Sequence, residues 1–80
     1  MSDLERRLLA CFRAVFPHLE ESQAAAASQE SIEAWDSVAM VTLVTLIEEE
    51  FGLAVKAEDL AQLSSFALAA RYLADRLARG

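Results

Sequence analysis

An all-α fold, with three main helices, one short helix and a long first loop, is what these 80 residues predict. Apolar side chains recur at the three-and-four spacing of one helical face in three separate segments. Pro17 and Gly52, residues that stop helices, close the first two of them. With 55% hydrophobic and 25% charged residues the chain has the composition of a folding protein. Its length suits one domain, residues 1–80, with a single modest core, short of what most enzymes use to wall off a pocket.

The first helix is expected from Asp3 to about Phe16, where Leu4, Leu8, Leu9, Phe12, Val15 and Phe16 line one face. Pro17 ends it. Residues 17–35 show no period; Ala24 to Ala27 favour helix one by one, enough for a turn or two that buries little, and Ile32 and Trp35 are the expected attachments to the core. So long a connection is unusual between helices.

The second main helix is expected from Ser37 or Val38 to Phe51, with Val38, Val41, Val44, Ile47 and Phe51 on one stripe and Leu43 beside it. Either Asp36 or Ser37 can cap it; with Asp36 in that role, Trp35 and Met40 hold the positions of a hydrophobic staple. Gly52 supplies the left-handed residue after its end, and Leu53 can fold back on the last turn. A short helix follows from Ala57 to Leu63, with Leu60 and Leu63 inward. Ser64 or Ser65 then caps a last helix whose stripe is Phe66, Ala69 or Ala70, Leu73 and Leu77, with Arg76 and Arg79 near its negative end and Gly80 after it.

Charge is unevenly placed. Between Glu20 and Asp59 stand ten acidic residues against Lys56 alone, a local net charge of −9, while the two ends together carry +3, which leaves −6 for the chain. A field of that sign repels nucleic acid and attracts basic protein surfaces. The one cysteine, Cys11, permits no internal disulfide and no repeated ligand spacing for a metal. The opening MSDLERR is charged where a signal peptide is apolar, and no window approaches a membrane span, so a cytoplasmic protein without membrane insertion is expected.

Groups for catalysis are scarce. Ser37 would need a base to act as a nucleophile, and His18, the sole histidine, follows Pro17 at the far end of the loop. Glu48, Glu49 and Glu50 are adjacent on a helix and so point in different directions; they form a solvated face or a docking face for a basic partner. The two glycines, at 52 and 80, cannot build a phosphate loop. The chain is therefore expected not to be an enzyme. Ser37 can instead receive a group, because the first amides and dipole of a helix stabilise a phosphoryl charge; a plain unmodified serine satisfies the same pattern.

Asp36-Ser37 before an apolar residue, a helix ending in LIEEEFGL, then AEDL and LSSFALAARYL together resemble the acyl carrier protein family, over residues 3 to 78 and in freestanding form. The resemblance implies a four-helix bundle with one short helix. It also implies 4'-phosphopantetheine esterified to Ser37, with Asp36 as the acid that precedes the attachment serine. A phosphopantetheinyl transferase would load it from coenzyme A, and the arm's thiol would hold an acyl or aminoacyl group as a thioester, as in fatty acid, polyketide or related pathways. Loading enzymes and downstream thioester-using enzymes would be the partners of a monomeric carrier, meeting it at Val38, Met40, Thr45, Glu48 and Glu49. Two departures stand out: Val38 replaces the usual leucine, and Ala39 and Thr42 occupy positions where fatty acid carriers often present acids, so docking is expected to be less electrostatic here. The competing expectation is an unmodified helical module that binds a partner through its acidic surface.

Overall fold

The computed structural model describes residues 1–79; Gly80, expected after the last helix, lies outside the described residues. Helix α1 spans Asp3–Val15, α2 Glu21–Ala25, α3 Ser37–Phe51 and α4 Phe66–Arg79, with a 3-10 helix at Ala57–Leu63 between the last two. The fold is all-α, as expected, with α1 packed against α3, α4 and α2, and the 3-10 helix against α4.

Each main helix is delimited by local chemistry. Ser2 and Glu5 form a reciprocal capping box at the start of α1, the Ser2 hydroxyl accepting from the Glu5 amide at 3.1 Å and a Glu5 carboxylate oxygen from the Ser2 amide at 3.1 Å. These bonds hold the Glu5 carboxyl below the usual carboxylate range. At the other end of α3, Gly52 has φ 65°, a conformation that costs side-chain-bearing residues about 1–2 kcal/mol, and its amide closes onto the Glu48 carbonyl at 2.9 Å. Ser65 caps α4, its hydroxyl accepting from the Leu68 amide at 3.0 Å, which settles the choice between Ser64 and Ser65.

Aromatic rings organise the core around Phe12. Its ring meets Trp35 edge-on at 5.5 Å between centroids and Phe66 at 5.3 Å, the T-shaped arrangement favoured by ring quadrupoles. Leu8 and Phe12 of α1, Leu43 and Ile47 of α3, Leu63 and Leu73 close the interior around them.

The long first loop is more structured than its sequence suggests. Glu20 and Gln23 cap the five-residue α2, and Ala24 and Ala27 are fully buried along with Leu19. The expectation that this stretch buries little is corrected: small side chains let the backbone approach the core closely, so alanines bury where larger residues would not fit. A single antiparallel bridge, Ser28 with Ser65, then stitches the loop to the start of α4 through Gln29 N–H to the Ser64 carbonyl (2.8 Å) and Phe66 N–H to the Ala27 carbonyl (2.9 Å). Its backbone groups are thus satisfied without longer secondary structure.

Two expected stripes shift. On α3 the buried face is Leu43, Ile47 and Phe51, flanked by half-buried Ala39, Met40, Val44 and Leu46, whereas Val38 and Val41 are 74% and 66% exposed. Apolar residues occupy so many α3 positions that the sequence defines no unique stripe, and the four-residue ladder ending in the bulky Phe51 prevails. Leu60 and Leu77, expected inward, are also exposed. Leu60 and Leu63 share one face of the 3-10 helix, one turn apart, but only Leu63 at its end reaches the interior.

Candidate functional site

The start of α3 places a buried anchor and an exposed hydroxyl two residues apart. Trp35 is 3% exposed, packed against Phe12 and, at 5.5 Å between centroids, Phe16. Its indole Nε1 is buried with no hydrogen-bond partner. Asp36 follows in extended conformation, and its Oδ1 accepts from the Ala39 amide at 2.9 Å while its carbonyl accepts from Met40 at 2.9 Å. Asp36 is therefore the N-cap, and Ser37 the first helical residue, exposed to solvent. The amides of Ser37 and Val38, at the first two helical positions, have no intrahelical acceptor and face outward from the positive end of the helix.

Beyond Ser37 the solvent face of α3 runs through Val38, Val41, Thr42, Thr45 and Glu49, all exposed. The threonines make this face more apolar than their names suggest. Thr42 Oγ1 donates back to the Val38 carbonyl at 3.0 Å and Thr45 Oγ1 to the Val41 carbonyl at 2.9 Å, which uses their donors within the helix. Met40 is half-buried at its edge. The resemblance places Thr42 on this face and the structure agrees, whereas Ala39, expected beside it, is half-buried against the core, and Val41 is missed because the periodicity assigns it to the inner stripe.

The glutamate run divides into three roles. A Glu48 carboxylate oxygen accepts from the Val55 amide at 2.8 Å, pinning the chain after α3. Glu50 is held by Arg7, whose Nε lies 2.8 Å from its carboxylate and whose Nη2 donates to its carbonyl at 2.6 Å, while the guanidinium covers the Phe51 ring at 4.6 Å. Glu49 alone of the three points to solvent without a partner among the described residues. His18 is exposed and meets Phe16 edge-on at 6.4 Å. Cys11 lies buried on α1, where burial foremost, then the Glu50 carboxylate, push its thiol up to about 11 against the pull of Arg7. Among the described residues no cluster of metal-ligating side chains occurs and no helix is long and apolar enough to cross a membrane.

The family described as the phosphopantetheine attachment site matches residues 34–73, from the turn before α3 to the middle of α4. The chain belongs to this family. It is a carrier protein whose cofactor is covalently attached 4'-phosphopantetheine. No curated protein and no solved structure matches it.

The residues present fit that group. An exposed serine at the first residue of α3 is accessible to a phosphoryl donor, and the unpaired amides beside it would stabilise the charge of a phosphodiester there. Asp36 would repel that charge if its carboxylate were free, but the capping bond to Ala39 turns it toward the helix backbone. Carrier domains of this family are not themselves catalytic.

Proposed function

We propose that Ser37 is the attachment residue, and that residues 1–80 act as one freestanding, monomeric carrier domain presenting acyl or aminoacyl groups to partner enzymes. The observation that carries this reading is the exposed Ser37 hydroxyl at the start of α3, directly after its Asp36 cap and inside the span that matches the family. In loading, Ser37 Oγ forms one bond to the phosphorus of coenzyme A that bears the pantetheine, the bond from that phosphorus to the adenosine bisphosphate breaks, and the hydroxyl proton passes to a base of the transferase. When bound, the arm supplies a terminal thiol that holds cargo as a thioester.

The chain's own residues then position and advertise that arm. Asp36 holds the first turn of α3 so that Ser37 faces outward. Val38, Met40, Thr45 and Glu49, with Val41 and Thr42 between them, offer transferase, loading enzyme and thioester-using enzymes a mainly apolar docking face with one free acid. Glu48 contributes from its edge while one of its oxygens stays on Val55. The same proposal places loading in the cytoplasm.

Intact mass after incubation with coenzyme A and a broad-specificity phosphopantetheinyl transferase tests the proposal. One phosphopantetheinyl increment on the native protein, absent in a folded Ser37→Ala variant, is the expected result. An increment that survives Ser37→Ala would move the attachment elsewhere. No increment on well-folded native protein would favour the unmodified interaction module.

A further inference from the structure

The Trp35 indole carries an unmet demand. Its Nε1–H is buried without an acceptor in a residue only 3% exposed, and a buried donor without a partner bears the full desolvation cost of its group. Phenylalanine would keep a ring between Phe12 and Phe16 without bringing a donor into the interior. The two flanking rings, centred 5.5 Å away, offer only π faces, which are second-order acceptors beside an oxygen. An orphan donor of this kind, retained in the interior, fits an acceptor that arrives from outside.

Its position says where the acceptor comes from. Trp35 precedes Ser37 by two residues, so their Cα atoms are at most about 7 Å apart, and any arm attached at Ser37 starts within that reach. The indole hangs from the turn at Ile32 to Trp35, closed by Trp35 N–H to the Ile32 carbonyl at 3.0 Å, in which Glu33 and Ala34 are exposed and Ile32 is half-buried. Of the segments around Trp35, this turn is the exposed one, whereas Phe12 and Phe16 are buried.

Resting on the carrier reading above, we infer that the Trp35 indole N–H is an interior hydrogen-bond donor to a carbonyl oxygen of the loaded arm. That oxygen belongs to the amides of the arm, to the thioester, or to an oxo group on the cargo. In the last case Trp35 also selects cargo, favouring 3-oxoacyl over plain alkyl chains. Trp35 is thus a positioning residue for the attached group, in addition to being an anchor for α3.

Trp35 is the only tryptophan, so one indole N–H signal in a nitrogen–proton correlation spectrum reports the bond directly. Four samples separate the sources: apo protein, and protein carrying phosphopantetheine, its hexanoyl thioester and its 3-oxohexanoyl thioester. The indole proton is expected to move downfield, first in the holo form if an amide is the acceptor, in the hexanoyl form if it is the thioester, and in the 3-oxohexanoyl form alone if it is the cargo oxygen. Trp35→Phe, which keeps a ring and drops the donor, is expected to lose its thioester to hydroxylamine severalfold faster than native protein when both carry an acyl group whose attachment leaves the native indole shifted. An indole signal unmoved across all four samples, with mass confirming each load, overturns the inference and leaves the carrier reading standing. Failure to load at Ser37 removes both.

Discussion

Asp36 does two separable jobs. As N-cap it satisfies the Ala39 amide at 2.9 Å, and as a carboxylate it adds charge beside Ser37, the proposed attachment residue. Asparagine caps as well as aspartate, whereas alanine does not cap. Asp36→Ala should therefore cost about 1 kcal/mol of stability in urea unfolding, while Asp36→Asn stays near the native value. If the charge matters to the transferase, both variants load more slowly; if only the cap matters, Asp36→Asn loads at the native rate. An Asp36→Ala protein as stable as the native one would refute the capping role.

Helix α3 has two faces with different jobs, and substitutions should tell them apart. Leu43 is fully buried, so Leu43→Ala should cost about 2–5 kcal/mol by opening a cavity. Val38 and Val41 lie on the opposite side, largely in solvent; Val38→Ser and Val41→Ser should change stability by no more than about 0.5 kcal/mol. On the proposed docking role of this face, a severalfold fall in the transferase's kcat/KM is expected from each. Unchanged kinetics in both would show that partners dock elsewhere. The same two valines mark where pattern reading fails: a helix apolar at Val38, Met40, Val41, Leu43, Val44, Leu46 and Ile47 has several possible inner stripes, and only the packing partners on α1 choose among them.

At the scale of the whole molecule, the buried ionisable groups set an alkaline limit. Burial raises the Cys11 thiol from 9.0 to about 11, and burial, followed by the hydrogen bond to Asp59, raises the Tyr72 phenol above 10.0. Both are neutral acids in the folded state that ionise more readily once unfolded. Each contribution is complete below the unfolded value; that of Cys11 is lost as pH rises from about 9 toward about 11, and that of Tyr72 starts to be lost above 10.0. The thermal midpoint should accordingly fall across that window, with Tyr72→Phe removing part of the slope. The thiolate is the reactive form, so Cys11 should alkylate far more slowly in native than in urea-unfolded protein near neutral pH. Equal rates would mean that the α1 and α3 contact opens readily.

Much of this molecule can be read along the chain because its cues are local. The bounds of α1 and α3, the left-handed Gly52 and the short helix at Ala57–Leu63 follow from caps, breakers and spacing within a few residues. Asp36-Ser37 at a helix start is likewise local, as is the match to the phosphopantetheine attachment family over 34–73. What packing alone decided depends on residues far apart in sequence. Arg7 takes Glu50 out of the acidic run, Val55 takes an oxygen of Glu48, and the Ser28 to Ser65 bridge turns an unpatterned loop into a wall of the core. Periodicity ranks side chains by apolarity and position, but the burial of Trp35 with its N–H unpaired, and the exposure of Val38 and Val41, are set by which surfaces meet when the helices close on Phe12.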